Sequence, residues 1–336
     1  MPINLGGLGL KLASEVALPA FLSSAFGATQ TVKALVPIAI KEDNNTFFKQ
    51  GCSEWKAILG QNDLPSNQLF QAEWDWPLYS QLQKLILDSA STPFEEARIR
   101  GVCANHASDW LHSIPIANLG LKLADQQLRV ICALRLGSQL CINHTCTCGV
   151  EVDSMGRHGL SCRNQVGRIP RHSHLNDLVK RALSSAEIPS RLEPLGLSTK
   201  DRKRPDGTTL FPYKEGKCLT WDVTVVDTFA KSHVKECSHS CGAAAEKAEK
   251  LKLSKYEEIR KQYHMIPIAI ETLGAIGTEG ASFIKSIGQK IKLLTHNKRS
   301  TFFLFQAISM AVQRGNASSI LGTVKAGKDL EEIYYL

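Results

Sequence analysis

The chain has no apolar run of the roughly 18 residues that spanning a bilayer requires. Its first residues, MPINLGGLGLKLASEVALP, also lack the basic-then-apolar layout of a secretory signal. Both absences point to an intracellular protein with no membrane partner. Internal repeats and long low-complexity segments are missing too, which excludes solenoids and arrays. Acidic residues are in deficit: 32 Asp and Glu stand against 40 Lys and Arg, a formal charge of +8 over 336 residues, which favours polyanionic partners. The 43% hydrophobic and 21% charged content is that of a folded globular chain.

Ten cysteines in an intracellular chain read as reduced thiols or metal ligands rather than as a disulfide framework. Four of them crowd between Cys141 and Cys162, in a segment too short and polar to fold unaided. Cys146 and Cys148 are followed by nine intervening residues, His158, three more, and Cys162. Three thiolates and one imidazole suit tetrahedral zinc, whose bonds of roughly 2.0–2.3 Å replace an apolar core. Cys141 and His144 are alternative ligands. A second cluster, His233, Cys237, His239 and Cys241, has ligand chemistry without a flanking loop and reads as a solvated helix start.

From Gly6 to about Gly137 the pattern is helical, with amphipathic stretches at Leu78–Ser89, Glu95–Leu111 and Leu121–Leu136 and no catalytic constellation. After Arg168 the texture changes. A helix is predicted over Leu175–Glu187, strands over Ser190–Leu197, Arg204–Tyr213 and Lys217–Asp227, and a long charged helix over Cys241–Gln262. A strand over Met265–Leu273 and helices over Thr278–His296 and Phe302–Arg314 follow. The fold class is therefore α/β: a helical N-terminal region (1–137), a small zinc knuckle (138–165), and a mixed sheet flanked by helices (166–336).

Within that last region Asp206 of Arg204-Pro-Asp-Gly sits at a strand edge, and Asp222 follows sixteen residues later inside an apolar strand. A charge buried there without a partner would cost several kcal/mol. Two carboxylates on neighbouring strands are the donors that magnesium or manganese choose, and such cations serve phosphodiester hydrolysis. The position two residues after Asp222 holds Thr224 rather than lysine. Lys252 and Lys255, spaced to share a helical face, could reach in to orient water or stabilise the pentavalent phosphate, or could simply be solvated. Glu193 and Glu271 could extend the acid cluster. Arg168, Arg171, His172 and His174, with the run Lys200, Arg202, Lys203 and Arg204, concentrate phosphate-binding groups. Tyr256 could touch the DNA backbone or pack against the sheet.

In these motifs the chain resembles the C-terminal region of non-LTR retrotransposon polyproteins that carry a restriction-like endonuclease. The matching pieces are the Cys-Cys-His-Cys knuckle, Arg171-His172, Pro205-Asp206, Asp222 and Lys252-Leu-Ser-Lys255-Tyr256, in that order. Gly6-Gly-Leu-Gly-Leu10 and the helices after it look like the segment following the reverse-transcriptase thumb, so the resemblance covers nearly the whole chain. It implies a restriction-endonuclease-like core that nicks double-stranded chromosomal DNA in the nucleus, leaving a 3′ hydroxyl that primes reverse transcription. By motif position Asp206 and Asp222 would hold Mg2+ or Mn2+, Lys252 and Lys255 would be catalytic, and Arg168, Arg171, His172, Arg204 and Tyr256 would contact DNA. Element RNA and a separate reverse-transcriptase region would be partners. The Tyr-x-Asp-Asp motif of the polymerase is absent, so this chain is not expected to copy RNA. A second expectation is a non-catalytic, nucleic-acid-binding relic or domesticated fragment.

Overall fold

In the computed structural model, residues 1–35, 46–197, 203–325 and 330–335 are described. They gather into two compact units, Met1–Ala90 and Ser91–Leu336. The boundaries expected near 137 and 165 thus fall inside the second unit. No helix among the described residues is long and apolar enough to cross a membrane.

The first unit is helical: α1 (Ala13–Leu35), α2 (Thr46–Leu59) and α3 (Gln71–Asp88). Leu22, Cys52, Trp55 and Trp74 form its small core. The two indoles meet edge to face at 5.2 Å, and Trp55 Nε1 donates to the Trp74 carbonyl at 3.1 Å, so neither polar end is buried unpaired.

The second unit begins with α4 (Pro93–Val102). Thr92 caps it, accepting from the Glu95 amide at 3.2 Å while Glu95 accepts back from the Ser91 amide at 2.9 Å, and Pro93 occupies the first turn. The helix predicted over Glu95–Leu111 stops at Val102, and only a 3-10 turn at Asp109–His112 follows. His106 has φ 67°, which no helix continues through. Then come α5 (Asp125–Leu136), β1 (His144–Thr145), β2 (Glu151–Val152) and the single turn α6 (His158–Ser161).

A longer helix, α7 (Arg168–Ser185), leads to β3 (Ser190–Leu192), β4 (Gly207–Lys214) and β5 (Lys217–Val226). Next are α8 (Val234–His239), α9 (Ala243–Lys255), α10 (Glu257–Gln262) and β6 (His264–Glu271). The chain closes with α11 (Thr278–Thr295), α12 (Ser300–Leu321) and α13 (Leu330–Ile333). The sheet runs β3-β4-β5-β6; β3/β4 and β4/β5 are antiparallel, and β5/β6 is parallel. The architecture is the expected α/β class, a mixed sheet flanked by helices.

Three elements differ from expectation for local reasons. The first strand ends at Leu192 because Glu193 adopts φ 47° and Pro194 follows. The second starts at Gly207, whose missing side chain lets the Trp221 indole lie where a Cβ would stand, 2.0 Å away. The long charged helix breaks at Tyr256 (φ −102°, ψ 25°), turning that residue inward.

The period of two in β5 sorts its residues. Leu219, Trp221 and Val223 join Leu175, Val179 and Leu183 of α7, Ile266, Ile268 and Ile270 of β6, and apolar residues of α11 and α12 in the main core. Asp222 lies on the other face, toward α9. That helix presents Ala245 and Ala248 to Ala269 of β6, and such small side chains let it pack close to the sheet.

Candidate active site and metal centre

The four expected zinc ligands come together. One ligand atom each from Cys146, Cys148, His158 and Cys162 lies within 4.8 Å of all the others. The Cys146 and Cys162 sulfurs are 3.6 Å apart, and Cys148 Sγ is 3.2 Å from His158 Nε2. Tetrahedral zinc with bonds of roughly 2.0–2.3 Å sets its ligand atoms some 3.4–3.8 Å apart, so the donor set could hold a metal such as zinc. The β1–β2 hairpin supplies the first pair around Gly149 (φ 87°) and α6 the second. Burial holds His158 below its ordinary range, favouring the neutral ring that ligates metal. The Val150 amide draws the Cys148 thiol down, while burial pushes Cys162 up to about 11.

The alternative ligands are engaged elsewhere. Cys141 is buried beside the Asp153 carbonyl at 3.4 Å. The ring nitrogens of His144 meet the Ile142 carbonyl at 3.0 Å and Thr323 Oγ1 at 2.9 Å. His233, Cys237, His239 and Cys241 form no ligand cluster among the described residues; Cys237 instead lies 3.7 Å from Glu271.

The second constellation is assembled from four elements. Gly207 pairs with Trp221, and the Asp206 amide donates to the Trp221 carbonyl at 2.9 Å. Asp206 Oδ2 accepts from the Val223 amide at 2.7 Å, so its carboxylate flanks the Asp222 position at the end of the β4–β5 ladder. His172 Nε2, from the first turns of α7, lies 3.2 Å from Asp206 Oδ1 and 3.1 Å from Asn176 Nδ2. Burial acts to raise the Asp206 carboxyl, but His172, the Val223 amide and Asn176 outweigh it and hold the acid below its ordinary range. Its hydrogen bond to Asp206 raises His172 in turn.

Asp222 is almost fully enclosed, its side chain 4% exposed. Lys252 Nζ donates to one of its oxygens and Tyr256 Oη to the other. Lys252 therefore reaches the second acid from α9, although Thr224 stands where the usual pattern has its lysine. Lys255 is exposed, with Nζ 2.8 Å from Tyr256 Oη rather than on either carboxylate.

A cleft of about 270 Å³ opens beside these groups, lined by Arg168, Ile169, Arg171, His172, Val223–Val225 and Lys252. Arg168 is exposed at its rim. Arg171, expected on DNA, is 5% exposed; its Nη1 donates to Asn316 Oδ1 at 2.5 Å, and burial lowers its pKa to about 10. Tyr256 is likewise buried, 1% exposed, and its hydroxyl also lies 3.0 Å from the Arg204 carbonyl. Interior hydrogen bonds hold both in place of the surface position expected of them. Arg204 is exposed and paired with Glu193 at 2.9 Å. Lys200 and Arg202 lie outside the described residues.

Glu271 does not join the acids. It is fully buried, accepts from the Ala244 amide at 2.9 Å and Thr228 Oγ1 at 3.1 Å, and caps α9. Asn176 was the residue least visible in sequence. Its Oδ1 accepts from Trp221 Nε1 at 3.0 Å while its amide nitrogen meets His172, so it ties the histidine to the sheet. Its position four residues after His172, on one helical face, is the signal that could have found it.

Scanning the chain against protein-family models gives no match, and searching the curated proteins gives none either.

Proposed function

We propose that this chain is a divalent-metal-dependent DNA endonuclease, the restriction-like nuclease region of a non-LTR retrotransposon polyprotein, working beside a zinc knuckle. The observation that carries the reading is the convergence of Asp206, Asp222 and Lys252 at one end of the sheet, beside a cleft also lined by Arg168, Arg171 and His172. Helices α7 and α9 and two strands are needed to bring them together.

The donor set fits magnesium or manganese, which take one or two protein carboxylates and fill their remaining positions with water and phosphate oxygens. When bound by Asp206 and Asp222, the cation would polarise the scissile phosphate and activate the attacking water. The chain's own groups do the rest. His172, Asn176 and the Val223 amide fix the Asp206 carboxylate, and Tyr256 fixes that of Asp222. Lys252, on the cleft wall, neutralises charge gathering on the pentavalent phosphate. Water's oxygen bonds to phosphorus as the bond to O3′ breaks. That oxygen takes a proton and leaves as the 3′ hydroxyl, and a 5′ phosphate remains.

Arg168 at the rim supplies sequence-blind phosphate affinity. Double-stranded DNA is the substrate, the nucleus the site of action, and element RNA with a separate reverse transcriptase the wider partners of this reading. The test is nicking of supercoiled plasmid by the purified chain with Mg2+ or Mn2+. Wild type is expected to convert plasmid to open circles, while chelated samples and Asp222→Ala leave it supercoiled. Equal nicking by Asp222→Ala would overturn the assignment.

A further inference from the structure

A second cavity, of about 220 Å³, lies on the knuckle side of the second unit, walled by Phe94, Arg98, Ser138, Arg157 and Phe229 among others. The Arg157 guanidinium sits 4.6 Å over the Phe94 ring and 5.7 Å from that of Phe229. The two rings are 6.4 Å apart. Stacking fixes the plane of a guanidinium and leaves its N–H edge available, and none of the Arg157 donors has a hydrogen-bond partner among the described residues.

Arg98 borders the same space. Its Nη1 donates to the Arg135 carbonyl at 2.8 Å, but its Nε is buried with no partner. Burial holds Arg98 below its ordinary pKa, against the opposing pull of the Glu95 carboxylate. The Glu95 carboxylate lines the same cavity and offsets part of the Arg98 charge while accepting from Ser91 and Thr92 at the start of α4. Simple packing of an arginine stem on a phenylalanine would explain Arg157 alone. It does not explain two guanidiniums with unpaired N–H groups bordering one cavity that holds a single carboxylate, an arrangement that a further anion offsets.

We propose that this cavity is a phosphate site for a nucleic-acid strand, in which Arg157 and Arg98 hold one backbone phosphate and the two phenylalanines keep Arg157 in plane. Both walls adjoin in sequence the sites already described. Arg157 directly precedes the ligand His158, and Phe229 follows β5, whose Val223–Val225 line the aspartate cleft. A strand crossing that cleft has a second hold next to the knuckle, and positioning by the zinc cluster is thereby coupled to binding. The inference rests on the reading that the chain acts on nucleic acid, but not on its cutting it.

The experiment is fluorescence anisotropy of labelled single-stranded and duplex oligonucleotides on the full zinc-loaded chain, in an Asp222→Ala background that leaves the probe intact. Arg157→Ala is expected to weaken binding roughly tenfold, and to lower the slope of log affinity against log salt by about one. Ser138→Glu, on the exposed rim, is expected to weaken it comparably. Zinc content is measured in every sample. Affinities within twofold of the parent for both variants, at full zinc occupancy, would overturn the proposal while leaving the nuclease reading intact. Arg157-dependent binding by a chain that never nicks plasmid would uphold it and sink the nuclease reading instead. Inorganic phosphate that binds with the same Arg157 dependence, with no strand bound, would overturn the strand as the ligand.

Discussion

The knuckle and the aspartate cleft are both polar clusters in one unit, yet they are built in opposite ways. The four candidate knuckle ligands come from 17 consecutive residues and lie within 4.8 Å of one another. The cleft takes His172, Asp206, Asp222 and Lys252 from elements up to eighty residues apart, and only the finished sheet and its flanking helices place them together. A local site that holds a metal depends on it for shape, whereas a long-range site depends on the core beneath it. Removing the ion should therefore unfold the first and leave the second standing.

The largest expected effect follows directly. Chelation of zinc, or Cys146→Ser, should release the hairpin, because metal binding contributes on the order of 10 kcal/mol in such small sites. Cys146, Leu160 and Cys162 also belong to the core shared with α5 and α12, so the melting temperature should fall by on the order of 10 °C. An unchanged melting curve after chelation would mean that the thiols are simply packed.

In the cleft, the two partners of one ion pair should behave unequally. Lys252→Met leaves the enclosed Asp222 carboxylate without its cation, a loss of about 3–5 kcal/mol. Asp222→Asn frees a lysine whose side chain is 22% exposed and can turn to water, so it should cost distinctly less in urea denaturation. Both should abolish nicking. Equal destabilisation by the two would contradict the asymmetry of burial.

A buried carboxylate outside either cluster provides the control. Glu249 accepts from the Glu279 and Gly280 amides at 3.0 and 2.9 Å at the start of α11, and burial raises its pKa from 4.5 to about 6. Its folded form holds the proton more tightly than the unfolded chain does. That contribution is complete below about pH 4.5 and is lost as pH rises through 6. Wild type should lose about 2 kcal/mol between those limits relative to Glu249→Gln, read from denaturation at each pH. Parallel curves would remove the shift. The smallest effect is expected from Tyr256→Phe, which deletes the hydroxyl on Asp222 at about 1 kcal/mol and should slow nicking several-fold.

The same contrast governs what could be read from sequence. Ligand spacing exposed the knuckle, and the apolar run around Asp222 placed an acid inside a strand. Neither could show that the long helix breaks at Tyr256, because the break serves a hydroxyl reaching Asp222, thirty-four residues earlier in the chain. Clustered basic residues looked alike in sequence, yet Arg171 is tied to Asn316 inside the unit while Arg168 stays at the surface. Glu271 looked like a further catalytic acid because nothing local reveals that α9 begins against it. Position along the chain gave chemistry and periodicity; burial and partners came only with packing.

Asp206 and Asp222 should act as one metal-dependent centre. The most direct test is single-turnover nicking of supercoiled plasmid at saturating protein, with Mg2+ titrated into wild type and into Asp206→Asn, which keeps the side chain's shape. Wild type should nick in a metal-dependent way and the variant at a rate lower by roughly a hundredfold or more, with plasmid binding retained, the effect of removing a transition-state contact. Nicking by Asp206→Asn at the wild-type rate and metal dependence would contradict it.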